Sequence, residues 1–466
     1  KNVIGELNMR VRPTREQFEQ KLKKFIQTLQ DEIMSGTYKA GAYLPSEKVL
    51  IKRFRMGSNS VRMGLEMLEK DGWIEKVPRV GNRVIGGKKP VHLKLACGDL
   101  TERNLAFSGL LQLFHDKYPW IKVEVETKGS IPGFDPLSGE LGSDIVMMEN
   151  GQFQHLKELN AVETLEVQPV NSQLYPFLNP LFSSADQLYM QPVIFSPVVL
   201  CYNKTHFRES GLLEPNSSWT WEDAIQNAEK LSDGKGRYGL CFHLPSLNRW
   251  QVFLLQSGEA FAKDGSPEKD LRGTKMMEAM RCSKSIINNR EAFPQYLFEN
   301  ENDIRRMFWS GKISMTLTTY MGINGLKDNQ LDYDLSPVPF LYEPRTLLVA
   351  QGIGVNRFSQ HKEEAQLFVD YLISEEAQTY IWQHTLSIPS LAAMPLKLED
   401  KKLEYPRRYL LFLDIIPSFR TAVDLNVSAS ELGGIADSLK AYWANMSDEK
   451  ELSEQLLSVL TRKNEE

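Results

Sequence analysis

A change of rhythm at GGKKP, residues 86–90, constrains this chain more than any other feature. Before it, apolar residues recur at three- and four-residue steps, the period of an amphipathic helix. After it, β-rich apolar runs alternate with helical stretches, the grammar of an α/β domain. The charge changes at the same place. Residues 1–90 hold 19 Lys and Arg against 10 Asp and Glu, and the remainder holds 36 against 50. A basic head on an acidic body is the footprint expected of a nucleic-acid-binding module fused to something that is not one. The bland reading of the same balance is a solvated charged surface. With 466 residues, a typical domain size of roughly 100–200 residues predicts two to four compact units.

No apolar run approaches the roughly 18 residues of a membrane span. The opening KNVIGELNMRVRPTREQ lacks the apolar stretch of a secretory signal. The expectation is a soluble, cytoplasmic protein with no membrane association. Cys97, Cys201, Cys241 and Cys282 lie tens of residues apart with no CxxC spacing, so neither a zinc site nor a disulfide framework is signalled. Buried reduced thiols are expected, with no metal and no cofactor.

In the head, Phe18, Leu22, Phe25, Ile26, Leu29 and Ile33 mark a first helix. SGTYKAG breaks it, and LPSEKVLIKRF starts a second, with Ser46 placed to cap it and Gly57 to end it. SNSVRMGLEMLEKDG supplies a third, on which Val61, Leu65 and Leu68 share a face. WIEKVPRVGNRVIGG reads as two short strands around a turn at Pro78 to Gly81. Three helices and a hairpin in this order make a winged helix-turn-helix.

The run GTYKAGAYLPSEKVLIKRFRMGSNSVRMGLEMLEKDGWIEKVPRVGNRV resembles the GntR-type DNA-binding domain over about residues 17–87. The family pattern opens with Gly-Tyr-x-x-Gly, answered here by Gly-Thr-Tyr-x-x-Gly, and goes on to Leu-Pro-Ser-Glu, Val-Arg on the recognition helix and a glycine in the wing. The resemblance places operator DNA contacts on Lys48, on Ser58, Asn59, Ser60 and Arg62, and on Arg79, Asn82 and Arg83 of the wing. These types suit the task. A helix N-terminus offers amides to phosphate, Lys and Arg neutralise the backbone, and Asn or Arg reads base edges. Two departures stand out: Gly57-Ser58 replaces the family's usual Ser-Arg, and the wing reads Arg79-Val80-Gly81-Asn82-Arg83.

In the body, VHLKLACG, IKVEVET, SDIVMM and QPVIFSPVVLCYN read as strands, with helices at NLAFSGLLQLFHDKYP, around TWEDAIQNAEKL and from Asn248 to Gln256. FHDKYPWIKVEVE, SDIVMM, the stretch from PVIFSPVVLCYN to TWEDAIQNAEKL, FWSGKISMTLTTYMGI and GIGVNRFSQHKEEAQLFVDYLISEEAQ resemble, in order, segments of type 1 extracellular solute-binding proteins. The resemblance covers roughly residues 91–460 and implies a periplasmic-binding-protein-like α/β domain of two discontinuous lobes around an interlobe cleft. The domain plan is therefore a winged helix at 1–87, a linker at 88–91 and a two-lobed effector domain at 92–466.

Ligands of open α/β sheets sit at strand ends. Carried by position, the cleft residues are Asp99, Glu149, Asn150, Gln152, Ser196, Asn248, Arg249, Trp250, Tyr320 and Gln351. Carboxylates and amides bond vicinal hydroxyls, and an aromatic face covers a sugar ring. Trp250 and Tyr320 are the stacking candidates, with a plain core role as the other reading. Asp99 and Glu149 are ligand carboxylates or turn and helix caps. No GxSxG, HExxH or GxxxxGK[ST] is present, so no enzyme is indicated. The function expected is a bacterial transcription regulator, a homodimer on paired half-sites, sensing a small molecule of carbohydrate type. The alternative is a receptor of a carbohydrate ABC importer with no DNA-binding role.

Overall fold

The computed structural model describes residues 15–85, 90–127, 142–262, 270–294, 300–324, 331–394 and 396–461. Of the expected linker at 88–91, residues 88 and 89 lie outside the described residues, and Val91 already begins a strand. The chain divides into two compact units, residues 1–93 with 111–124, and residues 94–110 with 125–466.

The first unit holds α1 (Arg15–Met34), α2 (Glu47–Phe54), α3 (Ser58–Lys70) and the hairpin β1 (Ile74–Val77) and β2 (Gly81–Val84). This is the winged helix read from the sequence. The helical period puts Leu22, Phe25, Leu29 and Ile33 of α1 in the core, with Phe18 and Ile26 half-buried. Val61, Leu65 and Leu68 of α3 answer them, and Ile74 and Val84 close the core from the hairpin. At Gly64 an added Cβ would lie 2.5 Å from the Phe25 ring, so α3 brings bare backbone onto α1 there. Two local expectations need correcting. α2 ends at Arg55, which takes a left-handed φ of 50°, while Gly57 instead precedes α3 as its N-cap. Ser46 is the N-cap of α2 but makes no side-chain cap. Residues 111–124 join this unit through Trp120, edge-on to Trp73 at 5.4 Å, and through a 2.8 Å Lys23–Asp116 ion pair.

The second unit is α/β. Its first elements are β3 (Val91–Cys97), α4 (Thr101–Leu105), α5 (Phe107–Lys117), β4 (Ile121–Thr127), β5 (Ile145–Glu149) and α6 (Asn150–Glu158). β3, α5 and β4 contribute only their residues 94–97, 107–110 and 125–127 to it. Next come β6 (Ser183–Ser184), β7 (Gln187–Leu188), β8 (Gln191–Asn203), α7 (Lys204–Glu209), α8 (Trp221–Leu231), β9 (Tyr238–Leu240), α9 (Leu247–Gln256) and α10 (Lys275–Asn288). α11 (Glu301–Trp309), β10 (Ile313–Thr319), β11 (Tyr333–Ser336), β12 (Thr346–Val355), α12 (Lys362–Leu372) and α13 (Glu375–His384) follow. β13 (Ile388–Pro389), α14 (Leu411–Asp414), β14 (Phe419–Arg420), α15 (Ala429–Trp443) and α16 (Glu449–Thr461) complete it.

The main sheet runs β4-β3-β5-β12-β8-β10-β9. β8 explains how two lobes share it. All thirteen of its residues are buried, which is why QPVIFSPVVLCYN reads as a nearly continuous apolar run rather than an alternating one. Its first half pairs antiparallel with β12, Phe195 opposite Ala350. Its second half pairs antiparallel with β10, Leu200 opposite Leu317. One strand thus passes from the β3-β5-β12 lobe into the β9-β10-β11 lobe. Where its partner changes, Thr346 Oγ1 donates to the Val198 carbonyl at 2.6 Å. In the second lobe, Thr220 and Asp223 form a capping box that starts α8. That helix packs so closely that a Cβ on Gly239 would stand 1.8 Å from the Ala228 carbonyl oxygen.

Cys97, Cys201, Cys241 and Cys282 are free thiols, the first three buried and Cys282 half-buried. Among the described residues, no helix is long and apolar enough to cross a membrane.

Candidate functional site

Two regions gather the residues singled out in the sequence. On the first unit, Lys48, Ser58, Asn59, Arg62, Arg79 and Arg83 are exposed, while Ser60 and Asn82 are half-buried. Ser58, Asn59 and Ser60 are the first residues of α3, where backbone N–H groups have no intrahelical acceptor. Lys48 stands in the first turn of α2 beside Glu47, whose Oε2 accepts from Arg62 Nε at 2.9 Å. The α2 and α3 candidates are therefore held together by one ion pair. On the wing, Arg83 pairs with Glu75 of the neighbouring strand. Arg79 occupies the turn with a left-handed φ of 66°. Tyr43, not singled out in the sequence, is exposed and bridges to Arg83 through the backbone.

On the second unit, β5, α6, α9 and β12 open onto a cavity of about 290 Å³. Four expected residues line it: Glu149, Asn150, Gln152 and Asn248. β5 ends at Glu149, which is the N-cap of α6, and its N–H donates to Gln152 Oε1 at 2.9 Å. Asn150 is tied to β12, its Oδ1 accepting from Ala350 N–H at 2.9 Å and its Nδ2 donating to the Leu348 carbonyl at 3.4 Å. Asn248 marks a kink at the start of α9. Three residues on, the same helix face brings in Gln251, which the sequence reading missed. Gln251 is 4% exposed, and its Oε1 has no hydrogen-bond partner among the described residues. The remaining walls are largely apolar, with Leu156, Leu159, Leu247, Leu348 and Leu432 among them and, among the described residues, no Phe, Trp or Tyr.

Burial raises the Glu149 carboxyl above its ordinary value, the Glu301 charge adds to this, and a hydrogen bond with Gln351 opposes it. The side chain nevertheless stays open to the solvent in the cavity. Gln351 stands opposite Glu149 across the β5–β12 ladder. It is 7% exposed, and its Oε1 lacks a partner among the described residues. Gln351 is thus a support to Glu149 rather than a wall.

Five expected residues stand elsewhere. Asp99 is exposed in the loop after β3. Ser196 is buried, and its Oγ accepts from Tyr320 N–H at 2.6 Å, joining β8 to the end of β10. Arg249 is buried, donating to the Leu317 carbonyl at 3.1 Å and pairing with Glu301 at 2.9 Å. The stacking role expected of Trp250 and Tyr320 is corrected: they are 1% and 0% exposed, core side chains rather than cavity walls. Trp250 lies two residues past Asn248, on the opposite side of α9. The Tyr320 hydroxyl donates to the Tyr409 carbonyl at 3.0 Å.

Among the described residues, no group of three His, Cys, Asp or Glu side chains could hold a metal ion.

Residues 116–406 match the family model for bacterial extracellular solute-binding protein, and residues 22–84 match bacterial regulatory proteins of the gntR family. Neither family is one of enzymes. A Brucella abortus binding protein is 23% identical over 238 residues, 49% of this chain and 55% of that protein. The chain thus spans about half the length of that relative. A maltooligosaccharide ABC transporter solute-binding lipoprotein of Streptococcus pneumoniae is 21% identical over 308 residues, 59% of this chain and 67% of its own. Among solved structures, an ABC substrate-binding protein of Listeria monocytogenes in complex with cycloalternan superposes with a TM-score of 0.67 at 18% identity. It covers 81% of this chain and 99% of that one. Maltose-bound MalE3 of T. maritima gives 0.66 at 17% identity, covering 79% and 99%.

Proposed function

We propose, from the premise that this chain belongs to the bacterial extracellular solute-binding protein family and carries a gntR-family head, that it is a transcription regulator governed by a saccharide. The winged helix reads operator DNA through Lys48, the first turn of α3 with Arg62, and the wing residues Arg79, Asn82 and Arg83. The body senses its effector in the cavity between β5, α6, α9 and β12. Two copies act as a homodimer in the cytoplasm, because paired half-sites call for paired readers.

The observation that carries the ligand reading is the polar set, Glu149, Asn150, Gln152, Asn248 and Gln251, that meets a leucine-rich wall around one cavity. A carboxylate and amides at a strand end and helix starts can accept from and donate to the hydroxyls of a ligand. The leucine walls suit the apolar C–H faces of a saccharide. Maltooligosaccharide, cycloalternan and maltose, the ligands of similar proteins, belong to the same class. Ligand held between the lobes favours their closed arrangement by its differential affinity, and operator affinity changes with it.

The test is a thermal-shift screen of mono- and oligosaccharides on the full chain, repeated with Gln251→Leu and paired with fluorescence anisotropy on its own promoter DNA. A saccharide at a hundredfold its Kd adds about 2.7 kcal/mol of stability, and this gain should shrink in the variant. A chain that binds promoter DNA no better than unrelated DNA, or that no saccharide stabilises, sinks the proposal.

A further inference from the structure

Beside the Glu149 cavity lies a second one, lined among others by Arg249, Glu301, Arg305 and Gly322. Arg249 is fully engaged, with Nε on the Leu317 carbonyl, Nη1 on the Asn248 carbonyl and Nη2 beside Glu301. Arg305 donates to the Gly322 carbonyl at 3.4 Å and to Asn302. A third guanidinium, Arg103 of α4, comes from the other lobe. Its neighbour Asn104 reaches Met321, one residue before Gly322, at 3.7 Å. Arg103 is half-buried. Among the described residues its one hydrogen bond is a 3.4 Å contact to Asn104 Oδ1, and no carboxylate pairs with it.

Three guanidiniums therefore share Glu301, and that carboxylate is already paired with Arg249. Burial lowers Arg103 first and the Arg305 charge second, to about 10, with Glu301 opposing both. A desolvated cation facing another cation lacks an anion. Guanidinium pairs bidentately with carboxylate and phosphate alike.

We infer that the cleft selects a saccharide bearing an anionic group, a carboxylate or a phosphate, which Arg103 of one lobe and Arg305 of the other bind together. This rests on the saccharide-sensing reading above and narrows it. Without the anion the two cations repel across the cleft. With it they are bridged, which gives the ligand its preference for the closed lobes.

The experiment is isothermal titration of the full chain with a panel of mono- to trisaccharides, each as the neutral sugar, its uronic acid and its 6-phosphate, with inorganic phosphate alone as a further arm. Titrations are repeated on Arg103→Ala and Arg103→Lys. At least one acidic form should bind tenfold or more tighter than its neutral parent, with an affinity that weakens as salt rises. Uronate against phosphate identifies the group. Arg103→Ala should abolish that preference without weakening the neutral parent's binding, since it also removes the repulsion from Arg305, and Arg103→Lys should restore part of the preference. Neutral sugars binding as tightly as their acidic forms overturn this inference and leave the saccharide reading standing. Loss of neutral and acidic binding together in Arg103→Ala also overturns it. If no saccharide of any kind binds, both fall. Phosphate alone matching the phosphosugar removes the saccharide from the proposal and overturns it.

Discussion

Lys401 shows how far one residue departs from its ordinary chemistry in this fold. Its Nζ is buried, donates to the Trp382 and Thr385 carbonyls at 2.9 and 3.0 Å, and lies 3.9 Å from the Trp382 ring and 4.2 Å from that of Tyr409. The carbonyls and the ring faces favour the cation, yet burial prevails and pushes the ammonium down from 10.5 to about 7. Between those two values the unfolded chain holds a proton that the folded chain has released. This lysine therefore makes stability climb as pH rises across that window and gives no slope below it. The steepest slope one group can supply is about 1.4 kcal/mol per pH unit. Denaturant melts of the parent and of Lys401→Met at pH 6, 7, 8 and 9 should show the two curves diverging above pH 7, the parent gaining relative to the variant. The readout is the difference in slope, since Lys401→Met also removes two hydrogen bonds and lowers stability at every pH.

At the scale of elements, α15 carries two adjacent glycines with opposite surroundings. A Cβ on Gly433 meets open space, whereas one on Gly434 would lie 2.9 Å from Val459 Cγ1 of α16. Ala in an exposed helix interior is better than Gly by about 0.5–1 kcal/mol, and overpacking costs about 1–3 kcal/mol. Gly433→Ala should raise the urea midpoint and Gly434→Ala should lower it, in otherwise identical proteins. Such pairs are illegible in a sequence, which writes both as GG, and the candidate site divides along the same line. The head's elements were readable because helical period, turn residues and a hairpin are local facts. The end of α2 was misplaced because Arg55, rather than the nearby glycine, takes the left-handed conformation. β8 read as a strand because a strand buried on both faces is apolar throughout, whereas β10 and the end of β12 lay in stretches marked only by resemblance. Glu149, Asn150, Gln152 and Asn248, carried by position from the resemblance, line the cavity because they stand at a strand end and at helix starts. Gln251 was not legible in this way, since an unpartnered oxygen arises only from tertiary packing. Trp250 and Tyr320 were misread for the converse reason: an aromatic near a lobe crossing reads the same whether it faces the cleft or the core.

For the molecule as a whole, the division of charge is the constraint that function must work within. The acidic body gains nothing from a polyanion, so under the proposed function affinity for DNA falls to a few cations on the head. Arg62 is the most informative of these because an acid already occupies it: its Nε lies 2.9 Å from Glu47, with both side chains well exposed. A surface pair of this kind contributes about 0–1 kcal/mol to folding, so breaking it leaves the head intact. DNA binding is different, because each phosphate contact releases counterions and steepens the salt dependence by about 0.9 in log affinity per log salt. Arg62→Ala should therefore flatten that slope by about 0.9 for each head engaged, about 1.8 for a bound homodimer. The melting temperature should stay within a degree or two of the parent. Glu47→Gln should act in the other direction, freeing Arg62 for phosphate and raising affinity most at low salt. Anisotropy titrations of all three proteins on one promoter fragment, between about 50 and 200 mM salt, decide the matter. A common slope with a changed intercept in Arg62→Ala would mean that Arg62 reads a base edge or only shapes α3, and that phosphate recognition rests on Lys48 and the wing.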